Sequence, residues 1–214
     1  MTVTNPTTSP RPVLRVNREG QILEASIHMF AEKGYAATSL QEVADAVGLL
    51  KGSLYHYISS KESLLYRIFQ EAHSQAEVMM SAVDALNLSP EEHLREFLRR
   101  LALFYVLNRE RASLYFAEWR HLTGDERQTV LKQQREFRSY IRKMIEAAQV
   151  AGLTREDLDV KIATSFLLAA LNGVPSLFRT DNPNEAEQLA TEIAKLACAA
   201  VLIPTSISAK FKPL

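Results

Sequence analysis

Apolar residues recur every three or four positions along most of this sequence, which is the pattern of amphipathic helices. Near the N-terminus, Ile22, Ile27 and Phe30 share one helical face, so the pattern predicts a helix over about 18–33 that ends before Gly34. No segment has the sustained alternation of apolar and polar residues that a half-buried strand requires. The chain is therefore expected to be all-α, with roughly nine helices.

Two very short helices are predicted next. One begins at Ser39, whose spacing to Glu42 is that of a capping box, and it ends at Gly48 after barely two turns. The other covers about 51–58 and turns Leu54 inward. Two short helices joined by a tight glycine turn form the helix-turn-helix arrangement, which places its second helix in a DNA major groove.

The rest of the sequence continues in the same helical pattern. Helices are expected over about 60–86, 90–107, 110–121, 124–151, 155–178 and 184–202, with a kink or break at Pro175. Residues 1–15 and 205–214 lack this pattern and are expected to be disordered tails. Between the tails we expect a helix-turn-helix domain over 16–62 and a second helical domain over 63–204.

Composition excludes several classes of protein. The 214 residues carry 25 basic and 25 acidic side chains, so any binding of a polyanion must come from local placement of charge. A single cysteine, Cys198, forms no disulfide within the chain. The first residues lack a secretion signal, and no run approaches the ~18 apolar residues of a membrane span. We therefore expect a soluble cytoplasmic protein without a membrane partner.

Motifs for catalysis or metal binding are absent from the sequence. It has no glycine-rich phosphate loop and no nucleophile elbow, and its histidines lack metal-ligand spacing. We expect neither a cofactor nor a metal site, and a helical-bundle enzyme is the least favoured interpretation.

Residues 21–68 resemble the DNA-binding domain of the TetR family of transcriptional regulators. The resemblance lies in the order and spacing of Phe30, Gly34-Tyr35, Thr38-Ser39, Val43-Ala44, Gly48, Gly52-Ser-Leu-Tyr55-His-Tyr57, Lys61-Glu62 and Leu64-Leu65. It implies a repressor that binds a palindromic operator as a homodimer and is released by a small hydrophobic effector. A DNA-binding regulator that needs no effector is the alternative.

The resemblance also implies the residues that contact DNA. Lys51 and Gly52 are expected to read bases, and Ser53 to contact a base or a phosphate. The expected phosphate contacts are Thr38, Ser39, Tyr55, His56, Tyr57 and Lys61. Leu50 departs from the polar residue often found before the Lys-Gly pair, and it either contacts a thymine methyl group or packs inside the domain.

The larger domain is expected to hold the effector and the dimer interface. Ligand-binding candidates are Phe69, Phe97, Leu101, Phe104, Tyr105, Tyr115, Trp119, Phe137, Tyr140, Phe166 and Asn172, and plain core packing is the alternative for each. Dimer candidates on the last two helices are Leu171, Val174, Phe178, Leu189, Ile193, Leu196 and Ala197, with small residues such as Ala190 and Ala194 allowing close approach. These helices pack only within one subunit in the alternative interpretation.

The effector class follows from a narrower resemblance. The segment Glu118-Trp-Arg-His-Leu and the basic helix after it resemble TetR-family repressors of fatty-acid and steroid catabolism, whose effectors are acyl-CoA thioesters. The basic residues of that helix are Lys132, Arg135, Arg138, Arg142 and Lys143. An apolar pocket for the acyl part and cations for the phosphates would suit such a ligand. The alternative is that these cations pair with acidic neighbours on the helix surface.

Overall fold

A computed structural model describes residues 12–203, with side chains from residue 18 onward. The regular elements in this range are helices: α1 Pro12–Lys33, α2 Leu40–Ala46, α3 Lys51–Leu54, α4 Lys61–Asp84, α5 Pro90–Leu107, α6 Arg109–Ala117, a 3₁₀ turn at Trp119–His121, α7 Gly124–Val150, α8 Val160–Asn172, α9 Val174–Leu177 and α10 Pro183–Ala199. Extended pairing in the described range is limited to an isolated bridge between Thr154 and Leu202. The prediction of an all-α fold is confirmed.

The N-terminal helix begins earlier than the sequence predicted. α1 starts at Pro12 rather than near residue 18, so the expected disorder is wrong for residues 12–15. A proline is tolerated in the first turn because the N–H that it lacks would have no partner within the helix. Residues 1–11 and the tail predicted over 205–214 lie outside the described residues.

The chain divides into two compact units, Met1–Ile68 and Phe69–Leu214. The division falls inside α4, later than the boundary predicted at residue 62. Leu64, Leu65 and Ile68, in the first two turns of α4, are fully buried and belong to the first unit. These turns therefore belong with the helix-turn-helix segment.

The first unit has a small aromatic and aliphatic core. The rings of Phe30 and Tyr35 meet edge to face with centroids 5.1 Å apart, which joins the end of α1 to the turn that follows it. Val43 from α2 and Leu54 from α3 are also fully buried. The three helices of the DNA-binding segment thus share one core.

The core of the second unit joins α5 to α7 and α10. The face of α10 in this core is a stripe of small residues at four-residue spacing, Ala186, Ala190, Ala194 and Cys198. Ala190 and Ala194 thus lie in the core of their own subunit, which corrects their expected role between subunits. Burial raises the pKa of Cys198 to about 11, in keeping with its interpretation as a small buried residue.

The stretch from Val160 to Leu177 is broken by Gly173, which separates α8 from α9 just before Pro175. By length and composition alone this stretch could cross a membrane, which corrects the expectation that no run approaches that length. One face of α8 lies in the core through Ala163, Leu167 and Leu171. The opposite face of α8 also exposes large apolar side chains, Ile162 and Phe166.

Candidate DNA-binding surface and internal cavity

The predicted recognition helix is a single turn, α3, followed by a turn over 55–57. Gly48, with a φ of 65°, occupies the left-handed conformation that ends α2 and lets the chain reverse towards α3. Leu54 is buried, whereas Lys51 and Gly52 are exposed. The first residues of α3 therefore face outward, as a base-reading helix requires.

The remaining candidates on this segment differ in exposure. Tyr55 is 49% exposed and His56 is also exposed, whereas Ser53 and Tyr57 are half-buried. A Cβ atom added to Gly52 would meet no atom within 4 Å, so the fold itself does not require glycine there. The roles of these residues in DNA contact stay predictions, and all of them keep some surface available.

Ser39 caps α2 in the predicted manner. Its hydroxyl accepts a hydrogen bond from the backbone N–H of Glu42 at 3.2 Å, and its own N–H donates to the Glu42 carboxylate at 2.8 Å. That backbone hydrogen bond and the ammonium of Lys33, 2.9 Å away, lower the pKa of Glu42 to about 2. Ser39 stays exposed at the start of α2, and its contact with phosphate stays a prediction.

Thr38 does not lie on the DNA-facing surface. It is only 1% exposed, and its hydroxyl donates to the carbonyl oxygens of Gly34 at 3.0 Å and Met29 at 3.3 Å. The predicted phosphate contact by this side chain is therefore wrong, because the hydroxyl is used to hold the α1–α2 turn.

Lys61 is also turned inward. Its ammonium donates to the carbonyl oxygens of Tyr35 at 2.8 Å, Ala36 at 3.2 Å and Thr38 at 2.9 Å. An ammonium has three hydrogen-bond donors, so these carbonyls use all of them and leave none for a phosphate. The predicted phosphate contact of Lys61 is therefore wrong, because its hydrogen bonds instead join the start of α4 to the α1–α2 turn.

Most of the cationic side chains described in the first unit already bind a partner within that unit. They are Arg18 with Gln21, Lys33 with Glu42, Lys61 with the turn carbonyls, and Arg67 with Glu19. Lys51 has no such partner within the described residues. It is exposed at the start of α3, so its charge is available to a guanine or a phosphate.

The second unit contains a cavity of about 230 Å³ between α4, α5, α6, α7 and α8. The predicted ligand-binding residues that line it are Leu101, Phe104, Tyr105, Tyr115, Trp119, Phe137 and Asn172. Lining residues that the prediction missed include Ala72, Ala76 and Met79 on α4, Phe116 on α6, Gln134 and Arg138 on α7, and Leu168 on α8. Their helical spacing on α4 and α7 was the available signal, whereas the sequence prediction rested mainly on aromatic side chains.

Four predicted ligand-binding residues do not line the cavity. Phe69 is buried with its ring centroid 5.1 Å from that of Tyr115, and Phe97 packs in the core against Tyr140. The hydroxyl of Tyr140 donates to the Asp84 carboxylate at 2.6 Å. Phe166 is 59% exposed on α8, outside the cavity. Aromatic spacing identified buried or apolar positions without showing which of them border empty space.

Charge near the cavity comes from arginines. Arg138 lines the cavity, and its guanidinium has a long 3.5 Å hydrogen bond to Ser165. The guanidinium groups of Arg120 and Arg127 lie 6.0 Å and 5.4 Å from the ring of Trp119, which is also a lining residue. No buried side-chain nitrogen or oxygen in the described part of the chain lacks a hydrogen-bond partner. The cavity thus combines mainly apolar and aromatic walls with a few polar side chains, His73, Gln75, Gln134 and Asn172, and with arginines at or beside its wall.

The residues predicted for the dimer interface differ in how deeply they are buried. Leu171 and Val174 are buried in the core of the second unit, so their predicted place between subunits is wrong. Phe178, Leu189, Ile193 and Ala197 pack partly against that core, whereas Leu196 is 74% exposed. Large apolar side chains are exposed on the last helices, and we call Ile162, Phe166, Leu177 and Leu196 the α8–α10 face.

Comparison with known families decides the identity of this fold. Residues 22–68 match the family described as bacterial regulatory proteins, tetR family, and residues 87–201 match the tetracyclin repressor-like C-terminal domain. The chain belongs to the TetR family. It is a DNA-binding transcriptional repressor with a helix-turn-helix, and it is not an enzyme.

This TetR-family chain is similar to several known regulators. The transcriptional repressor KstR2 of Rhodococcus jostii is 31% identical over 151 residues, which cover 70% of this chain and 74% of that protein. The structure of the ketosteroid transcriptional regulator KstR2 of Mycobacterium tuberculosis has a TM-score of 0.81 and 22% identity over 87% of this chain and 96% of that one, and it shares the fold. The structure of AibR in complex with isovaleryl coenzyme A and operator DNA has a TM-score of 0.74 and 26% identity over 84% and 97% of the two chains.

Proposed function

We propose that this TetR-family repressor binds a palindromic operator as a homodimer and is released by an acyl-CoA thioester. The observation that carries the proposal is the apolar cavity in the second unit with arginine side chains beside it. DNA binding itself rests on the family, whereas the dimer, the symmetry of the operator and the effector are the proposed parts.

The α8–α10 face supports the homodimer. Ile162 and Phe166 are one helical turn apart on α8, and Leu196 lies on the outer face of α10. Large apolar side chains left exposed to water mark protein–protein interaction sites when they lie close together. A second copy of the chain would cover this face with its own α8 and α10, in a bundle of four helices related by a twofold axis. Such a dimer presents two helix-turn-helix segments, which implies a palindromic operator.

The size and lining of the cavity support a thioester with a small or ring-shaped acyl group. About 230 Å³ suffices for an acyl group but not for the nucleotide of coenzyme A, which would remain outside. Arg138, and the arginines stacked on Trp119, would meet the phosphates or carboxylates of such a ligand. Two similar proteins also support such a ligand. AibR is described in complex with isovaleryl coenzyme A, and KstR2 is described as a ketosteroid transcriptional regulator.

Release from DNA requires the effector to bind one form of the dimer more tightly than another. A ligand with equal affinity for the operator-binding and released forms would shift nothing. The effector is therefore expected to bind best to a form with low operator affinity. The cavity favours this interpretation over a regulator that needs no effector, since a domain filled by its own side chains would suit the latter.

A ligand panel tests the proposed effector. Short- and ring-acyl CoA thioesters, free fatty acids and coenzyme A alone are compared by thermal melting and by release of operator DNA. A ligand at a hundred times its Kd stabilises the fold by about 2.7 kcal/mol, or roughly 5–10 °C in Tm for a chain of this size. We expect a thioester to raise Tm and to free the DNA. If another class does both and no thioester does either, the acyl-CoA assignment is wrong.

Paired variants on α7 sharpen the test. Arg138→Ala removes the cation that lines the cavity and is expected to weaken binding of the thioester more than that of any neutral ligand. Lys143→Ala is the matched control, because Lys143 is an exposed cation of the same helix that does not line the cavity. Equal weakening by both variants would show that the charge acts at long range rather than within the site.

A further inference from the structure

Leu50, at the start of the predicted DNA-reading helix, is 80% exposed. Its neighbour Leu49 is half-buried, and Leu54, one turn later, is fully buried. The sequence left two roles for Leu50, packing inside the domain or contact with a thymine methyl group. The exposure removes the first of them.

Leu50 also contributes little to the helix that it begins. It is the N-cap residue of α3, with extended backbone angles (φ −69°, ψ 144°) and no side-chain hydrogen bond. Leucine is among the poorest N-cap residues, and a serine or aspartate there would stabilise the start of the helix better. Neither core packing nor capping accounts for this side chain, so it is free to contact a partner.

We propose that Leu50 is a specificity-determining residue that contacts the C5-methyl group of a thymine in the major groove. A helix-turn-helix places the N-terminal residues of its second helix against base edges. Among the four bases, thymine presents an apolar group in the major groove, and apolar side chains recognise it. The proposal rests on the DNA-binding function of the family and not on the proposed effector or dimer.

The adjacent Lys51 sets where this thymine lies. Leu50 and Lys51 are consecutive residues at the N-terminus of α3, the end that a helix-turn-helix places against base edges. Their side chains are therefore expected to reach base pairs close to one another. With Lys51 on the O6 and N7 atoms of a guanine, the thymine is expected within about two base pairs of that guanine.

Replacement of thymine by deoxyuridine tests this contact, because it removes the methyl group and nothing else. DNA fragments are first selected with the wild-type protein, and each thymine of the selected duplex is then replaced in turn. We expect one thymine near the guanine at which replacement weakens wild-type binding about four-fold, the effect of one buried methyl-sized group. With Leu50→Ala the same replacement should change affinity by less than about 1.5-fold, since the partner of the methyl group is gone.

Two control variants complete the test. Leu50→Met keeps an apolar side chain of similar length, so it should retain sensitivity to the thymine methyl group. Lys51→Ala should weaken binding to thymine and deoxyuridine duplexes alike, leaving their ratio unchanged. Because Leu50 is exposed, each of its variants should melt at the wild-type temperature.

Two results would overturn the proposal. One is wild-type affinity that is unchanged by deoxyuridine at every thymine near the selected guanine. The other is a Leu50→Ala protein that keeps the full wild-type sensitivity. Both comparisons are made on whatever duplex the protein selects, so an asymmetric site or a monomeric protein would count against the proposed dimer and leave this test valid.

Discussion

The ammonium nitrogen of Lys61 lies 2.8 Å from the carbonyl oxygen of Tyr35 and 4.5 Å from the centre of its ring. One side chain thus binds both the backbone and the aromatic face of a single residue. The contact ties the first turn of α4 to the α1–α2 turn, immediately before the exposed Ser39 at the start of α2. Lys61 therefore holds the α1–α2 turn against the start of α4, and we expect it to position the DNA-binding surface rather than to contact DNA.

The first prediction follows from this geometry. Lys61→Met should lower the free energy of unfolding of the first unit by about 2 kcal/mol, because it removes hydrogen bonds made by a charged donor. Its affinity for DNA should fall, but the slope of log K against log salt should not change, since no phosphate contact is lost. Hydrogen exchange at the amides of the α1–α2 turn and a salt titration measure the two effects.

Lys51→Met is the control for Lys61→Met, because it removes the same charge from an exposed position. It should leave hydrogen exchange in the α1–α2 turn unchanged. A drop of about 0.9 in the salt slope per subunit with Lys61→Met, without faster exchange, would restore Lys61 as a phosphate contact.

The second prediction concerns base reading by Lys51. Lys51→Ala should cost roughly 1–3 kcal/mol on the selected sequence and much less on unrelated DNA, because a base contact discriminates whereas a phosphate contact does not. Titration of both duplexes at several salt concentrations separates the two roles. Uniform weakening, with the salt slope reduced by about one, would make Lys51 a phosphate contact instead.

The sequence was sufficient to predict the helices and the helix-turn-helix because both depend on local patterns. The Ser39–Glu42 capping box is one example, since its hydrogen bonds join residues three apart. The role of Lys61 had no such signal. Its acceptors lie more than twenty residues earlier in the chain, and only the packing of α4 against the α1–α2 turn brings them together.

The same limit explains the errors in the second unit. Leu171 and Leu196 are both apolar at helical spacing, yet the first lies in the core and the second at the surface. Periodicity reveals an apolar position but not the neighbour that covers it. Phe166 and Phe137 differ for the same reason, because only Phe137 borders the space that α4 and α5 leave open.

The third prediction concerns pH. The folded pKa of Glu42 is lowered from 4.5 to about 2, chiefly by the backbone N–H of Ser39 and then by Lys33. Its stabilising contribution is therefore complete above pH 4.5 and is lost as pH falls towards 2. Glu42→Gln should melt below wild type at neutral pH, and the gap should close over that acidic range.

Ser39→Ala is the companion variant in this pH series. It keeps the backbone N–H that is the largest cause of the shift, so most of the pH dependence of Tm should remain. Melting of both variants between pH 7 and pH 2 measures the effect. A gap between wild type and Glu42→Gln that stays constant throughout would contradict the assignment.

The fourth prediction tests the proposed dimer through the α8–α10 face. Leu196 is 74% exposed in the single chain, so Leu196→Glu should leave the subunit folded. In a dimer covered by that face, the same substitution buries an unpaired charge at about 3 kcal/mol or more per subunit, which weakens association over about a hundredfold. Light scattering should therefore find folded monomers, with helical circular dichroism unchanged.

Val150→Glu is the matched control, since Val150 is 90% exposed at the end of α7 and lies outside the α8–α10 face. The control should remain dimeric, because its new carboxylate stays in water. Phe166→Glu places a charge in the same face, on α8. It should give monomers as Leu196→Glu does, because both side chains would be covered by the same partner surface. A dimeric Leu196→Glu protein would place the interface elsewhere, and a monomeric wild-type protein would rule out the homodimer altogether.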